Sequence, residues 1–152
     1  MIKKSNLKKA MHAAGVLNEP IDYRRSFSRG MRVLLGQYSM LFISGTASID
    51  KKGKSRHIGD LKAQLKRTFS NIAALLASEG ATWHDVVQTR CYLKDMRDYA
   101  LFNESRNYFY QQQKLAPFPA SVCVQAGLCR PELLVEIEAV AIIKNSSKNN
   151  KK

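Results

Sequence analysis

FPASVCVQAGLCRPELLVEIEAVAII, residues 118–143, decides the fold. It reads as two strands, near 120–126 and 132–143, joined by a short polar turn. The second strand carries Glu136 and Glu138 among apolar residues. Alternation puts Val135, Ile137, Ala139, Ala141 and Ile143 on one face, and Glu136, Glu138, Val140 and Ile142 on the other. The first set is one wall of a core. The second is half apolar and half acidic. A sheet with helices on one side has no third layer to cover Val140 and Ile142, so that face is expected to meet another copy of the chain.

The elements upstream complete the pattern. RVLLGQYSMLFISGTASID predicts paired strands near 31–36 and 39–45, and KKGKSRHIG a loop or a hairpin extension. Asp60 is placed to N-cap a helix whose stripe runs Leu61, Leu65, Thr68, Ile72, Leu75 and Glu79, with Gly80 at its carboxy-terminal end. Thr82-Trp83-His84-Asp85 has the form of a capping box before the strand VVQTRCYL, 86–93. DMRDYALFNESRNYFYQQQ predicts a second helix, with Tyr99, Phe102, Arg106, Phe109 and Gln113 along its core side. The order ββ(β)αβαββ implies an α+β fold with two helices on one face of a single sheet.

A chain of 152 residues with 45% apolar content has the size and composition of one globular domain. Its net charge of +13 is concentrated at the ends: residues 1–17 and 144–152 each hold four lysines and no acid. The organisation expected is a basic arm (1–17), a domain (18–143) and a disordered basic tail (144–152). Charge in tails, not interleaved with aromatics on one face, gives no expectation of specific nucleic-acid binding. The apolar part of the opening segment is short and interrupted by His12, and no apolar run reaches the roughly 20 residues of a membrane span; a cytoplasmic protein is expected. Cys91, Cys123 and Cys129 form no CxxC, and His12, His57 and His84 have no metal-ligand spacing, so neither a disulfide framework nor a metal site is expected. Without a P-loop or GxGxxG, no nucleotide cofactor is expected either.

Glu136 and Glu138 are the chemical candidates. Two carboxylates about 6.5–7 Å apart on one strand face can separate their pKa values and divide acid and base work. Alternatively each is paired with a basic neighbour such as Arg90 or Arg130. Arg90 shares its strand face with Gln88 and Tyr92, and needs a carboxylate from either a glutamate or a ligand. Cys123 reads as a small buried apolar residue, since a nucleophilic role would need an adjacent base.

LFISGTASID, EGATWHDVVQTRCYLKDMRDYALFNE and PFPASVCVQ with VEIEAVAI together resemble the Rid family, also called YjgF-like or L-PSP endoribonuclease, over roughly residues 27–143. The resemblance implies a chorismate-mutase-like fold, a homotrimer with clefts between subunits, and hydrolysis of imines and enamines derived from amino acids. It further implies cleft roles for Ser44, Gly45, Asn103, Cys123 and Glu136, with Phe27 at the position of a frequent tyrosine. The family's deaminases place a carboxylate-clamping arginine directly after Pro-Ala; this chain has Ser121 there. A hydroxyl replaces neither the charge nor the planar fork of a guanidinium. Losing such a contact costs about 2–5 kcal/mol, so little hydrolysis of 2-iminobutanoate-type substrates is expected. CRPELLVEIE, 129–138, also resembles the carboxy-terminal motif of the chorismatases, which implies Glu136 or Glu138 as general acid and Arg90, Arg130 or Arg29 as carboxylate ligands. A binding or regulatory protein that keeps the fold without turnover is the third expectation.

Overall fold

The structure, a computed structural model, describes residues 7–145. Six strands form one sheet: β1 (Lys8–Met11), β2 (Gly30–Leu35), β3 (Tyr38–Thr46), β4 (Val86–Leu93), β5 (Ala120–Gln125) and β6 (Val135–Lys144). Their spatial order is β1-β2-β3-β6-β4-β5. Two helices, α1 (Leu61–Ala77) and α2 (Tyr99–Gln112), complete the domain. Apolar residues of α1, α2, β3 and β6 form one core cluster. The α+β fold, with one sheet and two packed helices, is the one that residues 118–143 implied.

The two strands of that stretch follow each other in sequence without pairing. β6 is inserted between β3 and β4, antiparallel to both, while β5 runs parallel to β4 at the sheet edge. The reason is α2. A helix between β4 and β5 returns the chain to the start of the sheet, which makes the next strand parallel. β6 is the most enclosed strand: Val135, Ile137, Ala139 and Ala141 are buried as alternation predicts.

Local chemistry sets the helix ends. Asp60 accepts the Ala63 amide at 3.0 Å, capping α1, and Gly80 has φ +73° just beyond its end. Thr82 and Asp85 form the expected capping box, with Asp85 accepting the Thr82 amide at 2.7 Å.

Three expectations change. The hairpin extension after β3 reduces to an isolated bridge, Ile49 to Ser55, because Asp50 turns back on the Lys52 and Lys54 amides. The second helix buries less than its stripe implied. Phe102 and Tyr110 are its buried residues, whereas Tyr99 is exposed and Arg106 half-buried. Finally, the basic arm supplies β1, and its Met11, Ala13 and Leu17 enter the core. Lys8 and Lys9 had masked this short strand in the sequence. At the other end β6 extends through Lys144, and Asn145 binds Gly36 and Tyr38 carbonyls at 3.1 and 3.0 Å. The rest of the proposed arm and tail, 1–6 and 146–152, lies outside the described residues.

The sheet face away from the helices is left uncovered by the described residues, and carries apolar side chains beside Glu136 and Glu138. Phe42 lies opposite Val140, and Val122 opposite Arg90, on this side. Phe42, Val122, Val124 and Ile142 are each more than two-fifths exposed there.

Candidate active site

Glu136 enters β6 on the uncovered face, opposite Tyr92 of β4. Between the pairs Ile43–Ala139 and Thr46–Ile137, β3 carries two residues against one on β6. This bulge at Ser44–Gly45 lays the Gly45 backbone over the Glu136 carboxylate. A Cβ on Gly45 would stand 2.0 Å from Glu136 Oε1 and 3.0 Å from Cδ. Glycine is therefore required here for close approach, and its φ is not the reason. Ser44 holds the bulge in place by donating its hydroxyl to the Ser28 carbonyl at 2.7 Å, while its amide donates to Arg29 at 3.1 Å.

Around this carboxylate is a cleft of about 930 Å3, lined by Phe27, Arg29, Gly45, Cys129, Arg130 and Glu136 among others. Arg25, Arg29, Lys51, Lys52 and Arg130 contribute positive charge to it, against Asp22 and Glu136. The Arg29 guanidinium lies 5.5 Å from the Phe27 ring centre and donates to Asn18, at 2.8 Å to the side-chain oxygen. Arg130 donates to the Gly53 carbonyl at 2.7 Å and to Ser55 at 3.2 Å. Glu136 itself makes no ion pair among the described residues. Burial, and then the charge of Glu138, push its carboxyl above the usual carboxylate range.

The two glutamates thus divide as environment dictates. Glu138 is paired with Arg90 at 3.4 Å, partly exposed on both sides. That pair engages Arg90, whereas Glu136 has no such cation among the described residues.

Ser121, Cys123 and Asn103 lie elsewhere. Ser121 is registered with Thr89, and Cys123 with Cys91, on the helix side of the β5 edge. Thr89 Oγ1 and Ser121 Oγ are 3.1 Å apart. Asn103 reaches this group from α2 through Arg106. Burial, then Cys91, raises the Cys123 thiol, which therefore stays protonated and apolar in character. Glu136 and the Ser121 group occupy opposite faces of the sheet, so one chain does not bring them together.

Sequence reading missed the residues that hold the cleft walls. Gln64 of α1, fully buried, donates to the His57 and Glu132 carbonyls at 3.2 and 3.0 Å and accepts the Leu134 amide at 2.8 Å. Asn71, also buried, donates to Ala47 and Ile49 carbonyls at 3.0 Å each. These amides fix the segments entering β6 and leaving β3, on either side of Glu136. A polar residue inside an apolar helix stripe was the available signal: burial obliges it to find partners in a loop.

Gly45→Ala tests the close approach. The carboxylate is the end of a flexible side chain, so it should rotate away while the backbone stays; stability should change by less than about 1 kcal/mol. Were Glu136 the reacting group of a catalysed step, a displacement of about 1 Å would cost about 10²-fold in turnover. Thermal melts and turnover measured together check this, and a large loss of stability would show that the backbone had moved instead.

Among the described residues no group of three or more His, Cys, Asp or Glu could hold a metal, and no helix is long and apolar enough to cross a membrane.

Comparison with known proteins agrees with the geometry. The family profile described as Endoribonuclease L-PSP matches residues 18–143. A RutC family protein of Pyrococcus abyssi is 36% identical over 103 residues, covering 68% of this chain and 78% of the relative. The 3-aminoacrylate deaminase RutC of Acinetobacter baylyi is 30% identical over 103 residues, covering 68% of this chain and 79% of the relative. Among solved structures, the YjgF gene product of E. coli superposes with a TM-score of 0.74 at 25% identity, covering 90% of this chain and 99% of that one. RidA from an Antarctic Psychrobacter gives 0.71 at 26%, covering 89% and 99%. The chain belongs to the endoribonuclease L-PSP family, the Rid or YjgF-like family that its strand motifs around Ser44 and Glu136 resemble.

Proposed function

We propose that this protein binds a small carboxylated metabolite in clefts between the subunits of a homotrimer, and hydrolyses the imine or enamine of a 2-oxo acid there. One observation carries the reading: the half-buried Glu136 carboxylate, without an ion pair among the described residues, held against Gly45 in a cationic cleft. Positive walls favour an anionic ligand. A carboxyl raised above its usual range is a stronger base when ionised, and can take a proton from water and return it to a leaving amine. Water adds its oxygen to the imine carbon, and Glu136 carries its proton to nitrogen. In the resulting carbinolamine Glu136 moves the hydroxyl proton to the amine, and the carbon–nitrogen bond breaks as the carbonyl forms, releasing ammonia and leaving the 2-oxo acid. An enamine enters by first tautomerising to the imine, its nitrogen proton passing to carbon. The A. baylyi relative is named for deamination of 3-aminoacrylate, itself a carboxylated enamine.

A second copy is part of the proposal because the uncovered face bears Glu136 together with exposed Phe42 and Ile142. A chorismatase-like reaction is the second reading, favoured by Arg29 and Arg130 lining the same cleft as Glu136. Two guanidiniums suit a diacid.

Ammonia release from 2-iminobutanoate generated in solution tests the first reading. The protein should raise the rate above the uncatalysed hydrolysis. Binding of 2-oxobutanoate without acceleration would leave a binding protein, and turnover of chorismate in its place would establish the second reading.

A further inference from the structure

The guanidinium of Arg106 is held in an unusual way. It projects from α2 with Nη2 donating to Asn103 Oδ1 at 2.6 Å and Nη1 donating to Ser121 Oγ at 3.2 Å. Its carbon lies 5.0 Å from the centre of the Phe102 ring, and Phe102 is fully buried. Both acceptors are neutral. Among the described residues Arg106 has no ion pair; Glu104 on the same helix is paired with Lys62 at 3.4 Å.

A guanidinium has five donors in a planar fork and stays charged at any working pH. Ser121 and Asn103 take one donor each, and the Cys91 thiol lies within reach of the same guanidinium. The aromatic ring and the two neutral acceptors fix its plane without neutralising it. Most of the entropy cost of ordering a long side chain is thereby met before a ligand arrives. An oriented, uncompensated, half-exposed guanidinium is what bidentate carboxylate recognition requires.

Its position adds to this. Ser121 stands where the family resemblance implies a strand arginine, and Arg106 reaches the Ser121 hydroxyl from the neighbouring helix. We propose that Arg106, held by Asn103, Ser121 and Phe102, is the carboxylate-binding residue of this protein. The charge that position 121 lacks is delivered from α2. Asn103 and Ser121 are then positioning residues, and Thr89, 3.1 Å from the Ser121 hydroxyl, orients that group from β4. Because Arg106 lies on the helix side of the β5 edge and Glu136 on the opposite face, the two serve one ligand only across two copies. The inference rests on the carboxylated ligand proposed above. It replaces the expectation that a chain with serine at 121 has lost its clamp.

Calorimetry on the full chain with a panel of three- to six-carbon 2-oxo acids, and with the uncharged 2-oxobutanamide, tests it. Arg106→Gln should weaken binding of 2-oxobutanoate by about 30-fold or more and change binding of the amide by less than about 2-fold. Arg106→Lys should recover part of the loss, since it restores charge without the fork. Arg106→Ala should abolish acid binding, and adding Ser121→Arg to it should restore binding from the strand. Ser121→Arg alone should bring no gain, because it sets two guanidiniums together. If wild type binds none of the acids, the carboxylate reading and this inference both fall. If wild type binds them and Arg106→Gln binds equally well, only the inference falls. Equal loss of acid and amide would also overturn it, by showing a structural role.

Discussion

Glu136→Gln is expected to lower kcat/KM for imine hydrolysis by about 10²- to 10⁴-fold, the range for losing a positioned acid–base group. Binding of 2-oxobutanoate should change far less, since the amide keeps the shape of the side chain against Gly45. The pH dependence supplies a second readout. The Glu136 carboxyl is raised by burial first and by Glu138 second. The basic form should therefore appear above the ordinary carboxylate range, and the rising limb of the wild-type profile should be shifted up accordingly. Stability follows with a definite sign. A carboxyl whose folded pKa is raised binds more protons in the folded state between the unfolded and folded values. Its contribution is fully present below the unfolded pKa and is lost as pH rises through the folded one. Wild type should lose that contribution on going to neutral pH, and Glu136→Gln should not. The variant should thus melt at the same or a higher temperature at pH 7 while being nearly inactive. Turnover that survives in Glu136→Gln would remove Glu136 from the chemistry. An unstable variant would show that the glutamate holds the fold.

Alternation alone placed Glu136 on the uncovered face, because a strand's period of two leaves no freedom once one face is a core. The same argument placed Val140 and Ile142. Two features of the site were not legible that way. The bulge at Ser44–Gly45 depends on pairing between β3 and β6, which are nearly a hundred residues apart in sequence. No local pattern reports such a register shift. Arg106 was read as one position in a helix stripe, since helical spacing says which way a side chain leaves the backbone but not what lies at the end of a long one. Ser121 is 15 residues away from it in sequence and touches it only because β5 runs parallel to β4 beneath α2. β1 was obscured for a simpler reason. Edge strands are commonly short and lysine-rich, so Lys8–Met11 has the composition of a solvated arm. The family resemblance put Asn103 and Cys123 in a cleft with Glu136, yet neither lines the Glu136 cleft of the single chain.

Val140→Glu should dissociate the oligomer and, with it, abolish turnover. Val140 lies on β6 opposite Phe42 of β3 and opposite Gln88 of β4, in the middle of the uncovered face. Its neighbour on the same side of β6 is Glu138, whose charge is already engaged by Arg90. A third carboxylate in that row would have no cation to meet. Within one chain the change is mild, because the site is open to water and a charged side chain there remains solvated. Within an assembly it is severe. Symmetry places one such charge in every copy of the contact, and an unpaired charge taken out of water costs several kcal/mol. The helix face supplies the control: Ser70→Glu adds the same charge at an exposed position of α1 and should leave assembly unchanged. Light scattering should give wild type and Ser70→Glu the mass of three chains, and Val140→Glu the mass of one. The Glu136 cleft and the Arg106 fork both survive in an isolated Val140→Glu chain, since neither contains Val140. Loss of turnover in a folded monomer would therefore show that the two halves work only when separate copies bring them together. A monomeric wild type, or a Val140→Glu monomer with full activity, would place the whole reaction within one chain and overturn the shared site.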